Sequence, residues 1–271
     1  MVLTRRSALK GILATGLGAV TGASVYGVGY ERHRLGVTTA TLGVRALPNA
    51  WDGVRIGLLT DIHHSALVPA SDVAKAVSLV NEQHPDLILL GGDYITGMDR
   101  KFADPVAELL APLHAPLGKF AILGNHDDDR EMPASLRSQH IEVLRDDRTR
   151  LEYKGQGLEL AGISFWTRER QKIAEVLKGS RGPVLLLAHD PRRLVEASAL
   201  NVAAVLSGHT HGGQIVLPGI GAIAARKFPV AAGNGSMGDT TIFVSRGIGT
   251  VYVPARINCP PEVAIITLQR T

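Results

Sequence analysis

From Trp51 onward the chain repeats one pattern: a short apolar run, a polar cluster at its end, then often a stretch with helical spacing. Residues 54–59 predict a strand, and Asp61, His63 and His64 follow it. Val73, Ala76, Val77 and Val80 recur at the spacing of one helix face, with Ser71 as the expected N-cap. Residues 87–90 predict a second strand, followed by Asp93. The stretch ADPVAELLAPL predicts a helix capped by Asp104, with Pro105 at the first helical position. Residues 120–123 predict a third strand, followed by Asn125, His126 and Asp127.

The pattern continues with a helix at 133–140, a hairpin within LEYKGQGLELAGISFW and a helix in RERQKIAEVLKG. A strand at 184–187 leads to His189, and one at 202–206 leads to GHTHGGQ. A glycine-rich loop spans 217–238, and TTIFVSRGIG and PEVAIITL predict closing strands. Mixed strands and helices at this length predict an α/β fold with helices covering the sheet faces. Sites in such folds gather beyond the carboxyl ends of the strands, where all five polar clusters fall. In GHTHGGQ an extended backbone would turn His209 and His211 toward the same side.

Composition narrows the picture. The 271 residues fit one large domain or two small ones, and a single cysteine, Cys259, excludes an intrachain disulfide. The net charge is +4, but Arg5, Arg6 and Lys10 supply three of those charges at the extreme N-terminus. Only 4% of residues are aromatic, so stacking platforms are scarce and no nucleic-acid partner is expected.

Residues 1–30 have the layout of an export signal: a basic start, then an uncharged run. Thr4-Arg5-Arg6-Ser7-Ala8-Leu9-Lys10 resembles a twin-arginine signal, with cleavage expected after Ala23. The same run is long enough to serve as a membrane anchor, though poor in leucine. Expected partners are therefore the twin-arginine export machinery and, through the N-terminus, a membrane. The expected location is the periplasm or the outer face of the cytoplasmic membrane. Residues 31–48 read as a linker or an edge strand, and 49–271 as the catalytic domain.

Asp61-x-His63, Gly92-Asp93, Gly124-Asn125-His126-Asp127, His189 and Gly208-His209-x-His211 resemble, in order and spacing, the blocks of the calcineurin-like metallophosphoesterases. GHTHGGQ with SRGIGT and NCPPE is similar to the exported bacterial branch. The resemblance implies two mixed β-sheets packed as a sandwich flanked by helices. It implies Asp61, His63 and His211 as ligands of one metal, Asn125, His189 and His209 as ligands of a second, and Asp93 as the bridge. It implies His126 as a catalytic group meeting the leaving oxygen, with Asp127 orienting it. The cofactors would be two divalent ions of Mn, Fe, Zn or Co.

The implied activity is hydrolysis of a phosphate ester, a diester more than a monoester, by attack of a metal-bound hydroxide. No nucleophilic side chain is then required, which agrees with the lack of a Gly-x-Ser-x-Gly motif. His64, Arg246 and Arg256 are candidate substrate contacts, with solvated or ion-paired roles as the alternative. Competing readings are a UDP-diacylglucosamine pyrophosphatase-like hydrolase of lipid A synthesis, a non-catalytic metal-binding envelope protein and a nuclease.

Overall fold

Adjacent residues of β2 (Arg55–Leu59) and β3 (Leu87–Leu90) enter different cores, as the two-residue period of a strand requires. Ile56, Leu58, Leu87 and Leu89 face one apolar layer, and Leu59, Ile88 and Leu90 face another. β8 (Val184–Ala188) divides in the same way: Leu185 and Leu187 join the first layer, and Val184 and Leu186 join a third. Strands buried on both faces read as continuous apolar runs, which is why these three stand out in the sequence.

The computed structural model describes the backbone of residues 5–271 and the side chains of 15–18 and 21–271. Thr4 of the twin-arginine motif lies outside the described residues, and so do the side chains of Arg5 through Lys10. Helix α1 (Arg5–Gly29) precedes β1 (Gly36–Val44), β2, α2 (Ala70–Asn81), β3, α3 (Ala103–Leu110), β4 (Lys119–Ala121), α4 (Glu131–Ser138) and β5 (Glu142–Val143). Then come β6 (Asp147–Tyr153), β7 (Gln156–Ile163), α5 (Arg170–Leu177), β8, α6 (Leu194–Ala199) and β9 (Ala204–Ser207). The chain closes with β10 (Val216–Leu217), β11 (Gly221–Ala222), β12 (Gly233–Met237), β13 (Thr240–Val244) and β14 (Glu262–Arg270).

Two six-stranded sheets, ordered β1-β14-β2-β3-β4-β5 and β12-β13-β9-β8-β7-β6, enclose the first apolar layer. Both are mixed: β14 runs antiparallel to β2, and β6 and β12 run antiparallel to β7 and β13, among otherwise parallel neighbours. Helices α2, α3 and α4 cover the outer face of the first sheet, and α5 and α6 cover that of the second. This is the α/β sandwich expected from the sequence.

Of the two readings of residues 31–48, the edge strand is the one seen: residues 36–44 pair in nine-residue parallel register with β14 at the edge of the first sheet, and Leu42 and Val44 are buried in the central layer. Several other local expectations are corrected. The packed domain reaches further back, to Glu31, whose buried carboxylate accepts the N–H groups of Asn258 (2.9 Å) and Cys259 (2.6 Å). Helix α2 starts at Ala70 behind Pro69, so Ser71 lies in its first turn and makes no cap. Helix α3 starts at Ala103 after a 3-10 turn, so Asp104 is inside it and instead accepts the Ser135 hydroxyl of α4 at 2.6 Å. Helix α4 begins two residues earlier than expected because Asp128 accepts the N–H groups of Arg130 and Glu131. The glycine-rich loop holds three short strands, of which β12 extends the second sheet. Among the described residues, no helix is long and apolar enough to cross a membrane.

Candidate metal centre

The loops leaving β2 and β3 stay paired past the ends of the strands. Asp61 and His63 donate their N–H groups to the carbonyls of Gly92 and Asp93 at 2.9 and 3.0 Å. The two sheets meet through Asp61, whose carboxylate oxygens accept the His209 N–H at 2.9 and 3.0 Å. Close approach explains two glycines. A Cβ on Gly208 would stand 2.3 Å from Asp61 Oδ2, and one on Gly124 would stand 2.0 Å from Asp93 Oδ1.

Asp61, His63, Asp93, His209 and His211 all have φ between 51° and 69°, the left-handed region that non-glycine residues rarely occupy. Strain of this kind persists where the surroundings over-determine it, and it concentrates at functional sites. It also corrects the extended reading of GHTHGGQ. His209 and His211 join different groups because the backbone turns between them, not because alternate residues share a face.

Two groups of ligating atoms result: Asp61, His63 and His211, and Asp93, His189 and His209. The atoms of each lie within 4.8 Å of one another. Asp93 Oδ2 stands 3.4 Å from Nε2 of His63 and 3.2 Å from Nε2 of His189, so it touches both groups. Asn125 joins Asp93 and His209 in the wall of one cavity, and its buried Oδ1 has no hydrogen-bond partner. Nε2 of His63 and Nε2 of His211 face each other at 3.1 Å. Two imidazoles that remain neutral cannot both present lone pairs there without a proton or a cation between them. His189 Nδ1 lies 2.7 Å from the Gly91 carbonyl; donating there, it leaves Nε2 as the ligating atom. These residues fit divalent ions.

The titration of these groups follows from burial and mutual charge. Burial, assisted by Asp93, pushes Asp61 up to about 6, against the opposing effect of His189. Burial lowers His63 to about 4 and His209 to about 3, and it holds His211 well below its ordinary value. Burial also opposes charge on His189, but the Asp93 and Asp61 carboxylates outweigh it and raise the imidazole to about 10. Asp93 is held below the usual carboxylate range: burial favours its neutral form, and His189 overrides it.

His126 lines the same cavity, and its ring packs edge-on against that of His63 with centroids 5.0 Å apart. Its Nδ1 accepts the Gly97 N–H at 3.1 Å. The orienting role of Asp127 is corrected, and the alternatives left open for His64, Arg246 and Arg256 fall to contacts outside the cavity. Asp127 does not orient the His126 ring; its carboxylate accepts the N–H groups of Asp93, Tyr94, Ile95 and Gly124. His64 is buried away from the cavity, with Nδ1 2.9 Å from the Val68 carbonyl and its ring against Phe102. Arg246 pairs with Glu262 and donates to Thr38. Arg256 is wholly buried and donates to the carbonyls of Arg246, Gly247, Gly249 and Cys259.

Sequence reasoning missed Gln214, Lys227, Phe228 and Tyr252, which line the cavity beside the ligands. The single signal for them is that Gln214 ends the GHTHGGQ motif; the other three sit in aperiodic loops.

Two carboxylate–imidazole groups sharing one aspartate, at the strand ends of an α/β sandwich, define a metal-dependent phosphoester hydrolase. The family model for calcineurin-like phosphoesterases matches residues 54–213, and the chain belongs to that family. It is similar to the uncharacterized metallophosphoesterase YkuE of Bacillus subtilis, at 32% identity over 99% of each chain. It is similar to phosphodiesterase YaeI of Escherichia coli, at 34% identity over 79% of this chain and 82% of that one. An uncharacterized metallophosphoesterase of Aquifex aeolicus is 32% identical over 88% of this chain and 94% of its own.

Proposed function

We propose that the protein is an exported phosphodiesterase that works with two divalent ions. One observation carries the reading: a single oxygen, Asp93 Oδ2, lies 3.4 Å from His63 and 3.2 Å from His189, one from each ligand group. Two divalent ions held there would neutralise phosphoryl oxygens and make a water more acidic. Asp93 keeps its other oxygen on the His126 N–H at 2.8 Å, which fixes the carboxylate between the two groups. His126 Nδ1 acts as an acceptor, so a neutral ring carries its proton on Nε2. That tautomer can give a departing oxygen a hydrogen bond, which would stabilise the charge developing there.

A diester suits the cavity better than a monoester. Among the described lining residues, Lys227 is the one lysine or arginine. Arg246 and Arg256 are committed elsewhere. A singly charged diester asks less cationic cover than a doubly charged monoester. The phosphodiesterase name carried by the Escherichia coli relative supports the same choice. The test is hydrolysis of bis-nitrophenyl phosphate and nitrophenyl phosphate by protein loaded with Mn, Fe, Zn or Co. Faster cleavage of the diester is expected, with loss of both ions and of activity in Asp93→Asn. A protein that holds two ions and cleaves neither ester overturns the reading.

Export rests on Arg5-Arg6 with Leu9 and Lys10, ahead of an uncharged run. The twin-arginine route would deliver a folded, metal-loaded protein to the periplasm or the outer membrane face. Arg5→Lys with Arg6→Lys keeps the charge, and the protein is expected to stay in the cytoplasm. Wild-type export of that variant overturns the route.

A further inference from the structure

The cavity at the metal centre, about 530 Å³, has a wall of two unlike kinds. Asp93, Asn125, His126, His209 and His211 supply the polar part. Leu217, Ile223, Phe228 and Val251–Val253 supply most of the remainder. The apolar part is open to solvent: Ile223 is 52% exposed, Val253 50% and Tyr252 85%. Contiguous exposed apolar side chains beside a hydrolytic centre mark a surface that something covers.

This wall is built rather than loose. Gln214, one residue past the ligand loop, donates from Nε2 to the carbonyls of Val251 (3.3 Å) and Val253 (3.2 Å). Its Oε1 accepts the Val251 N–H at 2.8 Å. Tyr252 is thereby held with φ at 60°, its ring 5.9 Å from that of His126. The same segment docks the N-terminal helix: the Arg256 N–H reaches the Gly27 carbonyl at 3.1 Å. A Cβ on Gly27 would stand 3.0 Å from both the Arg256 carbonyl and Ile257, so helix and wall are in close contact.

The geometry points to an amphiphilic phosphodiester as the substrate class, with its alkyl or acyl substituent against Ile223, Phe228 and Val251–Val253 and its phosphate at the ligand groups. The inference rests on the phosphodiesterase reading above. It follows from the continuity of the apolar wall with the ligands and from the cation content of the cavity. Lys227 has no carboxylate partner among the described residues and suits one phosphate charge.

The test uses the metal-loaded full chain and nitrophenyl alkyl phosphates with methyl, butyl and octyl groups. Leaving group and phosphorus centre stay constant, and only the apolar substituent grows. The ratio kcat/KM is expected to rise roughly twofold or more per methylene until the wall is covered, through KM rather than kcat. Octylphosphonate should bind more tightly than methylphosphonate by calorimetry, which reads the wall without turnover. Ile223→Asn with Val253→Asn should flatten both series. Cleavage of the hexadecyl ester in phosphatidylcholine vesicles makes the source a bilayer. Cleavage of monomeric esters alone keeps the substrate class and makes the source a soluble amphiphile. Equal rates for methyl and octyl esters overturn the inference and leave the phosphodiesterase reading standing. No cleavage of any ester by protein holding two ions overturns both.

Discussion

Asp127 Oδ2 accepts the backbone N–H of Asp93 at 2.8 Å. The carboxylate therefore holds the loop that carries the bridging aspartate, and it also binds the N–H groups of Tyr94, Ile95 and Gly124. Burial, aided by the charge of Asp93, pushes Asp127 up to about 7, so its own charge is costly.

Asp127→Ala is expected to leave four N–H groups without a protein partner. A loss of about 3 kcal/mol in stability follows from hydrogen bonds to a charged group and unsatisfied buried donors. Metal content should fall with it, and activity should fall equally for good and poor leaving groups. Thermal melts and elemental analysis read the first two effects. A normally folded, fully loaded variant that is slow only on poor leaving groups would return Asp127 to the orienting role.

Arg256→Lys tests a similar reassignment. The guanidinium is fully buried and spreads its donors over carbonyls from Arg246 to Cys259, a geometry that one ammonium cannot match. The variant should melt roughly 5–10 °C lower, from about 3 kcal/mol in a domain of this size. KM should stay near wild type. A large rise in KM at unchanged stability would make Arg256 a phosphate contact after all.

The division between what the sequence revealed and what it hid has a physical basis. Asp61, His63, Asp93, Asn125, His126, His189, His209 and His211 each follow an apolar run, and all eight converge because the strands of a sandwich end on a common edge. Asp127, next to His126 in sequence, binds a loop more than thirty residues away, which adjacency does not show. Arg246 and Arg256 look like phosphate ligands until their tertiary partners, Glu262 and a set of carbonyls, are visible. The apolar wall draws on Ile223, in a single 3-10 turn, and on Val251–Val253, in a loop, neither of which carries a strand or helix period. Strand β1, rich in threonine, reads equally as linker or edge strand, and its long parallel register with β14 decides between them.

His126→Ala should retain both metal ions, because the ring contributes to neither ligand group. Removing this hydrogen bond to the leaving oxygen is expected to slow turnover about 10²–10³-fold on esters with poor leaving groups. The loss should be small for nitrophenyl esters, whose leaving oxygen spreads its charge into the ring. Rates across a series of leaving groups, with metal content measured on the same samples, check this. Metal loss in the variant would move His126 among the ligands, and equal slowing across the series would exclude a contact with the leaving oxygen.

Metal loading should expel protons from the site. His189 is raised to about 10, so at pH 8 its imidazole is charged before metal is loaded. His63, near 4, and His209, near 3, are neutral at that pH, and Asp61, near 6, is ionised. Ligation needs the free lone pair on His189 Nε2, because Nδ1 is engaged with the Gly91 carbonyl. Loading must then expel the proton of His189, and a raised pKa means that this cost is highest at low pH and vanishes as pH rises past 10. Apparent affinity should climb about tenfold per pH unit between roughly 6 and 10. Below about 6 the climb should be steeper, because Asp61 must also lose a proton. Calorimetry at pH 8 in two buffers of different ionisation enthalpy counts the protons released. Wild type should release about one more than His189→Gln, a difference that subtracts the contribution of bound water. Equal proton counts, or the same affinity at pH 7 and pH 9, would mean that His189 enters the site already neutral.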